Sequence, residues 1–277
     1  MEIKMGKFDG ILICTDLDGT LLRADKTISE ENVGAIEYFK SEGGLFTFIT
    51  GRMPMYVPYI YNTIDPNAPF GCINGGGIYD HRTGKYVYTV ELDRSALKLV
   101  EAVDRELSMI GIQVNTFECV YFNKDNEAMV NFRKETGAPN LACHYNDVRE
   151  PLAKVVFGDE CEENILALAK LLSEHELADS FDFIRSDRTL YEILPKGNSK
   201  GGVLMKMCEL LSIDSKRSIA VGDYDNDVSM IKAAGLGIAV ANATPSVMAV
   251  ADSVTVSNEE HAIAKIIHDL DSGALKV

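Results

Sequence analysis

The sequence predicts an α/β protein, a mainly parallel sheet with an inserted α+β block, and three observations carry that expectation. Short apolar runs alternate with helical periods at both ends of the 277 residues. Acids and turn formers stand where those runs stop, and a middle stretch breaks the alternation. Alternating strands and helices imply a parallel sheet, because parallel strands need crossover helices, and such a sheet gathers ligands at the carboxyl ends of its strands.

The elements follow in order. "GILICTD" is an apolar run that ends on Asp16, and "LFTFIT" and "FGCIN" are two more, each closing on a turn former. Between the first two, "SEENVGAIEYFKSEGG" places Val33, Ile36 and Phe39 at helical spacing, with Ser29 as N-cap, acids in the first turn and Gly43-Gly44 as the stop. A hairpin is expected in "GGGIYDHRTGKYVYTVEL". From 91 to 188 the chain carries longer helices, "SALKLVEAVDRELSMIG" and "EENILALAKLLSEHEL", and strands "IQVNTF", "CVYFN", "AKVVFG" and "FDFIRS" with an antiparallel look. The chain returns through "TLYEILPKGNSKGG". Then come helix "GGVLMKMCELL", strand "SIAVGD", helix "DVSMIKAAG", strand "LGIAV", the Pro245-started helix "TPSVMAVA", strand "SVTV" and a closing helix from about Asn258. The expected division is therefore a core of 1–90 with 189–277 and an insert of 91–188. About ten residues precede the first strand. With Met5 as an internal start, they read as a poorly ordered lead-in.

Composition narrows the function. Hydrophobic content of 46% and 25% charged residues are ordinary for a globular protein, and a net charge of −15 argues against a nucleic-acid partner, whose phosphates must be neutralised by Lys and Arg. No run is long enough to span a membrane and "MEIKMGKFDG" does not read as a leader, so the expectation is cytoplasmic, with no membrane partner. The six cysteines are scattered, with no C-x-x-C pair, and read as reduced and mostly buried. An anionic small substrate would need a local positive pocket in an unfavourable field.

The acids draw attention first at "GDYDNDVSM". Its D-x-D-x-D opening looks like half an EF-hand, but Val228 stands where the turn needs Gly and Ala234 where the loop needs a bidentate Glu. The other acidic pair, Asp16 and Asp18 in "CTDLDGTLL", sits at the first strand's tip with Gly19 allowing a tight turn. Two such carboxylates can divide labour, one attacking and one moving a proton.

"DLDGTLL" resembles the first motif of the haloacid dehalogenase (HAD) superfamily of phosphatases, and "FITGR", "SKGG" and "GDYDND" resemble the other three in order. "NGGGIYD", "YEILPKGNSKGG" and the insert after the third strand resemble its Cof-type branch (subclass IIB), with a Rossmann-like core and a large α+β cap of C2B type. The resemblance implies a phosphoric monoester hydrolase. In it Asp16 attacks phosphorus to form an aspartyl phosphate, while Asp18 protonates the leaving alkoxide and then deprotonates water. It implies Mg²⁺ held by Asp16, Asp223 and the backbone carbonyl of Asp18. Thr50, Gly51, Lys200 and Asn226 would meet the phosphate, with Asp227 fixing Lys200 or the metal waters, and Asp225 with no required role.

Some residues keep two readings. Arg52 either reaches substrate or pairs with an acid of the loop. Thr50 also could cap the next helix. Asn74 with Gly75 to Gly77 either presents backbone N–H groups to substrate or makes a turn needing positive φ. Glu192 either orients Lys200 or is a plain strand residue. Pro58, in "GRMPMYVPYIYN", is expected to kink the helix that the family has there. In the insert, "FECVYFNKDNEAMVNFRK" reads as an amphipathic β-α unit, with Tyr121 and Lys124 as candidate substrate contacts. The expected substrate is a small phosphorylated metabolite of sugar phosphate, pyridoxal phosphate or flavin-precursor type, and the protein a monomer or homodimer. A phosphotransferase or phosphomutase, or a non-catalytic phosphate-ligand sensor on the same fold, are the alternatives.

Overall fold

A computed structural model describes residues 6–277; Met1 to Met5, and with them the internal-start methionine, lie outside the described residues. The chain divides into two compact units, residues up to Tyr88 with Ser199–Val277, and Thr89–Asn198. The second boundary lies later than the sequence suggests. Strand Leu190–Pro195, expected to open the returning core, pairs antiparallel with Phe181–Asp187 on one side and Leu152–Gly158 on the other, which holds it in the insert.

The first unit is built on a five-stranded sheet in the order Ser253–Val254, Leu236–Ala239, Ser218–Gly222, Leu12–Thr15, Leu45–Phe48, every neighbour parallel. The central strands are buried along their whole length, as a sheet covered on both faces demands. Phe70–Cys72 adjoins through the bridge Ile49 to Gly71 and leads a three-stranded antiparallel group with Gly77–Asp80 and Lys85–Thr89. Helix Glu30–Ser41 is capped by Ser29, whose hydroxyl accepts from the Asn32 N–H, and it packs against the closing helix Ala262–Ser272. Pro58 does not kink a helix. It starts one, Pro58–Ile64, after a single 3₁₀ turn at Pro54–Tyr56, because proline's missing N–H costs nothing at the first helical position.

The lead-in is ordered from Gly6 onward. Phe8 is buried, with its ring 4.8 Å from Phe39 and edge-on to Tyr38 at 5.9 Å, and Lys7 pairs with Asp271 at 2.7 Å. Two late elements are shorter than expected, Pro245–Met248 and Ser253–Val254. The closing helix is entered through a 3₁₀ turn at Asn258–Glu260 and a left-handed His261.

The second unit holds a six-stranded sheet in the order Phe181–Asp187, Leu190–Pro195, Leu152–Gly158, Gly111–Thr116, Val120–Lys124, Leu141–Ala142, antiparallel except for its last pair. Side chains alternate between its faces. One face, with Val155, Phe157, Ile112, Val114 and Ile193, forms an apolar core with helices Ala96–Glu106 and Glu162–Glu174. The β-α reading of 117–134 corresponds to Val120–Lys124 followed by helix Glu127–Thr136, capped by the Asn126 side chain. Tyr121 and Lys124 have local partners, Glu150 and Asp104. Among the described residues, no helix is long and apolar enough to cross a membrane.

Candidate active site

The parallel register assembles the site. Thr15 lies opposite Val221 on one side and Phe48 on the other, so the residues that follow three adjacent strands, Asp16, Asp223 and Thr50, emerge at one end of the sheet. Asp16 is anchored by its N–H to the Val221 carbonyl, 2.8 Å, and Thr50 by its N–H to the Gly71 carbonyl, 3.0 Å.

Lys200 is the hub. It is the first residue of helix Lys200–Leu211, whose N-cap Ser199 accepts from the Gly202 N–H. Its side chain is only 1% exposed, which removes the alternative of a surface lysine, and its ammonium donates to Asp16 Oδ1 at 2.5 Å and Asp227 Oδ1 at 2.6 Å. Burial by itself would lower the Lys200 pKa, but the two carboxylates raise it instead. Glu192 has partners of its own, Lys154 and Ser186.

Asp227 is fully buried, and both of its oxygens are engaged. Oδ1 takes the Lys200 bond, while Oδ2 accepts from the backbone N–H groups of Asp223 and Tyr224. It therefore fixes both the acidic turn and the ammonium. Asp223 Oδ1 accepts from the Thr20 hydroxyl at 2.8 Å. Asp225 is not idle: it accepts from Thr244 and Ser246, tying the turn to the start of helix Pro245–Met248.

Carboxylate oxygens of Asp16, Asp223 and Asp227 lie within 4.8 Å of one another. One ammonium faces this cluster, so negative charge is in excess. Burial, then the Asp227 charge, push the Asp16 carboxyl well above the usual range despite Lys200. The same two causes push Asp223 up to about 7. A hard divalent cation meets this need, since it takes oxygen ligands and supplies the missing charge. Asp16 and Asp223 each keep a second oxygen outside the bonds described, so the donor set fits.

The side chain of Asp18 does not join that cluster. Arg52 grips it in a fork, Nη2 to Oδ1 at 2.6 Å and Nε to Oδ2 at 2.8 Å, and Lys26 adds a third bond at 2.8 Å. Burial would raise the Asp18 pKa, but Arg52 and Lys26 outweigh it and hold the carboxyl below its usual range. Of the two readings for Arg52, the structure shows the pairing with an acid of the loop.

The remaining predicted residues meet through Asn74. The Thr50 hydroxyl accepts from the Arg52 N–H at 3.1 Å and caps no helix, since none begins before Pro58. The Asn74 N–H donates to the Thr50 carbonyl, and Asn226 donates to Asn74 Oδ1 at 3.0 Å. A side chain at Gly51 would collide with Asn74, its Cβ 2.8 Å from Oδ1. The turn reading of this segment is also met: Asn74 has φ 50° and Gly75 φ 106°, where a Cβ would stand 2.5 Å from the Ser199 carbonyl oxygen. Sequence reasoning missed Thr20, Lys26 and the central place of Asn74. The Thr20 signal was present in "DLDGTLL", one residue past the tight turn; Lys26 reaches back from a left-handed turn that no spacing rule marks.

The profile of the haloacid dehalogenase-like hydrolase family matches residues 13–267. The chain is 28% identical over 264 residues to the 5-amino-6-(5-phospho-D-ribitylamino)uracil phosphatase YitU of Bacillus subtilis, covering 93% of this chain and 96% of that protein. It is 27% identical over 273 residues to the pyridoxal phosphate phosphatase YbhA of Escherichia coli, covering 93% and 97%. Its fold matches the solved structure of the HAD subclass IIB sugar phosphatase BT4131 with a TM-score of 0.83 at 18% identity, over 96% of this chain and 100% of that one. With the four motifs, the strand-end acids and the inserted sheet all in place, the chain belongs to the haloacid dehalogenase-like hydrolase family.

Proposed function

We propose that this phosphoric monoester hydrolase splits small phosphorylated metabolites, using Mg²⁺ and an aspartyl phosphate formed on Asp16. One observation carries the reading: buried Asp16 shares a single ammonium with Asp227, next to Asp223, at the carboxyl end of a parallel sheet. The relatives supply the substrate range, a ribitylamino-uracil phosphate, pyridoxal phosphate and sugar phosphates.

In this proposal Asp16 attacks phosphorus opposite the ester oxygen, and the P–O bond to the leaving group breaks with its electron pair on that oxygen. Asp18 gives the leaving oxygen a proton. It then takes one from the water that attacks the aspartyl phosphate, which frees inorganic phosphate and regenerates Asp16. Thr50 hydroxyl, Gly51 N–H, Lys200 ammonium and the Asn226 amide hold phosphate oxygens while charge spreads over them. The Asp16 and Asp223 carboxylates and the Asp18 carbonyl would hold Mg²⁺, which supplies Lewis-acid charge neutralisation when bound. Asp227 keeps Lys200 aimed. The Arg52 and Lys26 bonds suit Asp18 as a base directly; as an acid it must loosen them when substrate arrives. The cap, 91–188 in the sequence reading and Thr89–Asn198 by compactness, is proposed to select the substrate. A cytoplasmic setting in monomeric or homodimeric form, without a nucleic-acid partner, completes the proposal; the cysteines are free, as a reducing compartment requires.

The test is phosphate release from a panel of phosphorylated metabolites, with Mg²⁺ and with EDTA, beside Asp16→Asn. Mg²⁺-dependent release that Asp16→Asn abolishes is expected, together with trapping of BeF₃⁻ on Asp16 in the wild type. Tight binding of an ester with no release would replace the hydrolase with a sensor, and turnover in EDTA would remove the Mg²⁺ roles.

A further inference from the structure

The second face of the six-stranded sheet, opposite its helix-packed core, carries a stripe of buried polar side chains that fold stability does not explain. Register places Gln113 beside Val156, Asn115 beside Lys154, and Glu192 on the other side of Val156. Lys154 Nζ reaches Glu192 Oε2 at 2.8 Å, the Ser186 hydroxyl donates to Glu192 Oε1 at 2.6 Å, and Gln113 Nε2 donates to Asn115 Oδ1 at 2.8 Å. Exposure is 1% at Gln113 and Asn115, 5% at Lys154 and 2% at Glu192. Gln113 Oε1 is buried with no hydrogen-bond partner.

A sheet face built only for stability would be apolar here. Burying an ion pair is often no better than burying apolar residues of similar volume, and a buried amide oxygen without a donor is a direct cost. Groups kept under such a cost are ones that a ligand completes. The charges also say which ligand. Lys154 and Glu192 cancel, and Gln113, Asn115 and Ser186 are neutral, so the stripe offers alternating donors and acceptors with no net charge. That composition does not select an anion, and it offers no apolar wall to a flat aromatic ring. It does match hydroxyl groups, each of which gives one hydrogen bond and accepts others.

We propose that this stripe recognises the organic part of the substrate, and that this part is a neutral polyhydroxylated chain or ring, with Gln113 Oε1 accepting from one of its hydroxyls. The inference rests on the phosphatase reading: phosphate is common to every ester, so discrimination has to come from the remainder of the molecule.

The test compares kcat/KM for a sugar or alditol phosphate, pyridoxal phosphate and p-nitrophenyl phosphate, in the wild type, Gln113→Leu and the double variant Lys154→Met with Glu192→Leu. The double variant removes both charges together, so it is the one expected to stay folded if a single change does not, as circular dichroism checks. Expected is a wild-type preference for the polyol ester. Gln113→Leu should cut that ester's kcat/KM by about tenfold, chiefly through KM, and leave p-nitrophenyl phosphate within about twofold. The double variant should erase the preference. A wild-type preference for pyridoxal phosphate, or equal loss on all three esters, or no loss on any, overturns this inference while the phosphatase reading stands. Failure of the wild type to hydrolyse any ester overturns the phosphatase reading itself, and the inference with it.

Discussion

Lys200→Met tests the electrostatics of the site most directly. The substitution keeps the length of the side chain and removes an ammonium that is 1% exposed and bonded to Asp16 at 2.5 Å and Asp227 at 2.6 Å. Breaking a buried ion pair from one side costs about 3–5 kcal/mol. Asp227 keeps its two backbone N–H bonds and Asp16 can take up a proton, so the lower end, about 3 kcal/mol, is expected at pH 8 without divalent cations. The pH dependence has a definite sign. The folded Asp16 pKa already lies above its unfolded value, so its contribution is fully present below the unfolded pKa, about 4, and is lost as pH rises through the folded one. Removing Lys200 raises the folded value further. The deficit against wild type should therefore be large at pH 8 and shrink toward pH 5. Urea unfolding at both pH values, in EDTA, measures it. A loss below about 1 kcal/mol at pH 8, or the same loss at both, would refute the reasoning that one ammonium stabilises an overcrowded set of carboxylates.

Three further outcomes follow from the same geometry. Glu192→Leu alone leaves the 5% exposed Lys154 without that carboxylate and should cost about 3–5 kcal/mol, whereas the double change with Lys154→Met should cost less than either single change; chemical denaturation of the three variants checks the order. Gly19→Ala puts a Cβ 2.4 Å from Asp223 Oδ2 at a residue with φ 77°, so a destabilisation of about 1–2 kcal/mol and a higher Mg²⁺ concentration for half-maximal turnover are expected, read by thermal melts and Mg²⁺ titration of activity. Phe8→Ala empties the contact with Phe39 and should cost about 3–5 kcal/mol in urea unfolding, while an untethered lead-in would show no loss.

Much of the fold was legible because the core is repetitive. Each β-α unit announces itself by an apolar run, a turn former and a 3.6-residue period, and Ser29 capped its helix as its position suggested. Where sequence reasoning fell short, a nonlocal partner decided. Pro58 reads as an interruption only if a helix already runs through Gly51, and the turn through Thr50, Arg52 and Asn74 prevents that. Strand Leu190–Pro195 was placed in the core by its nearness to Lys200 along the chain, but pairing on both sides holds it in the insert.

The sequence alone determined which chemical groups stand at the strand tips, since "DLDGT", "FITGR", "SKGG" and "GDYDND" carry their spacing within themselves. Tertiary structure decided what each group faces. Asp16 and Lys200 are separated by 184 residues, Asp18 and Arg52 by 34, and Asn226 and Asn74 by 152. Local pattern reports turns and periods, whereas charge sharing depends on which strand ends parallel pairing brings side by side. The three acids of the "GDYDNDVSM" turn show the difference. In sequence they are alike; in the fold Asp223 faces the cation-seeking cluster, Asp225 braces a helix start, and Asp227 holds the lysine in place.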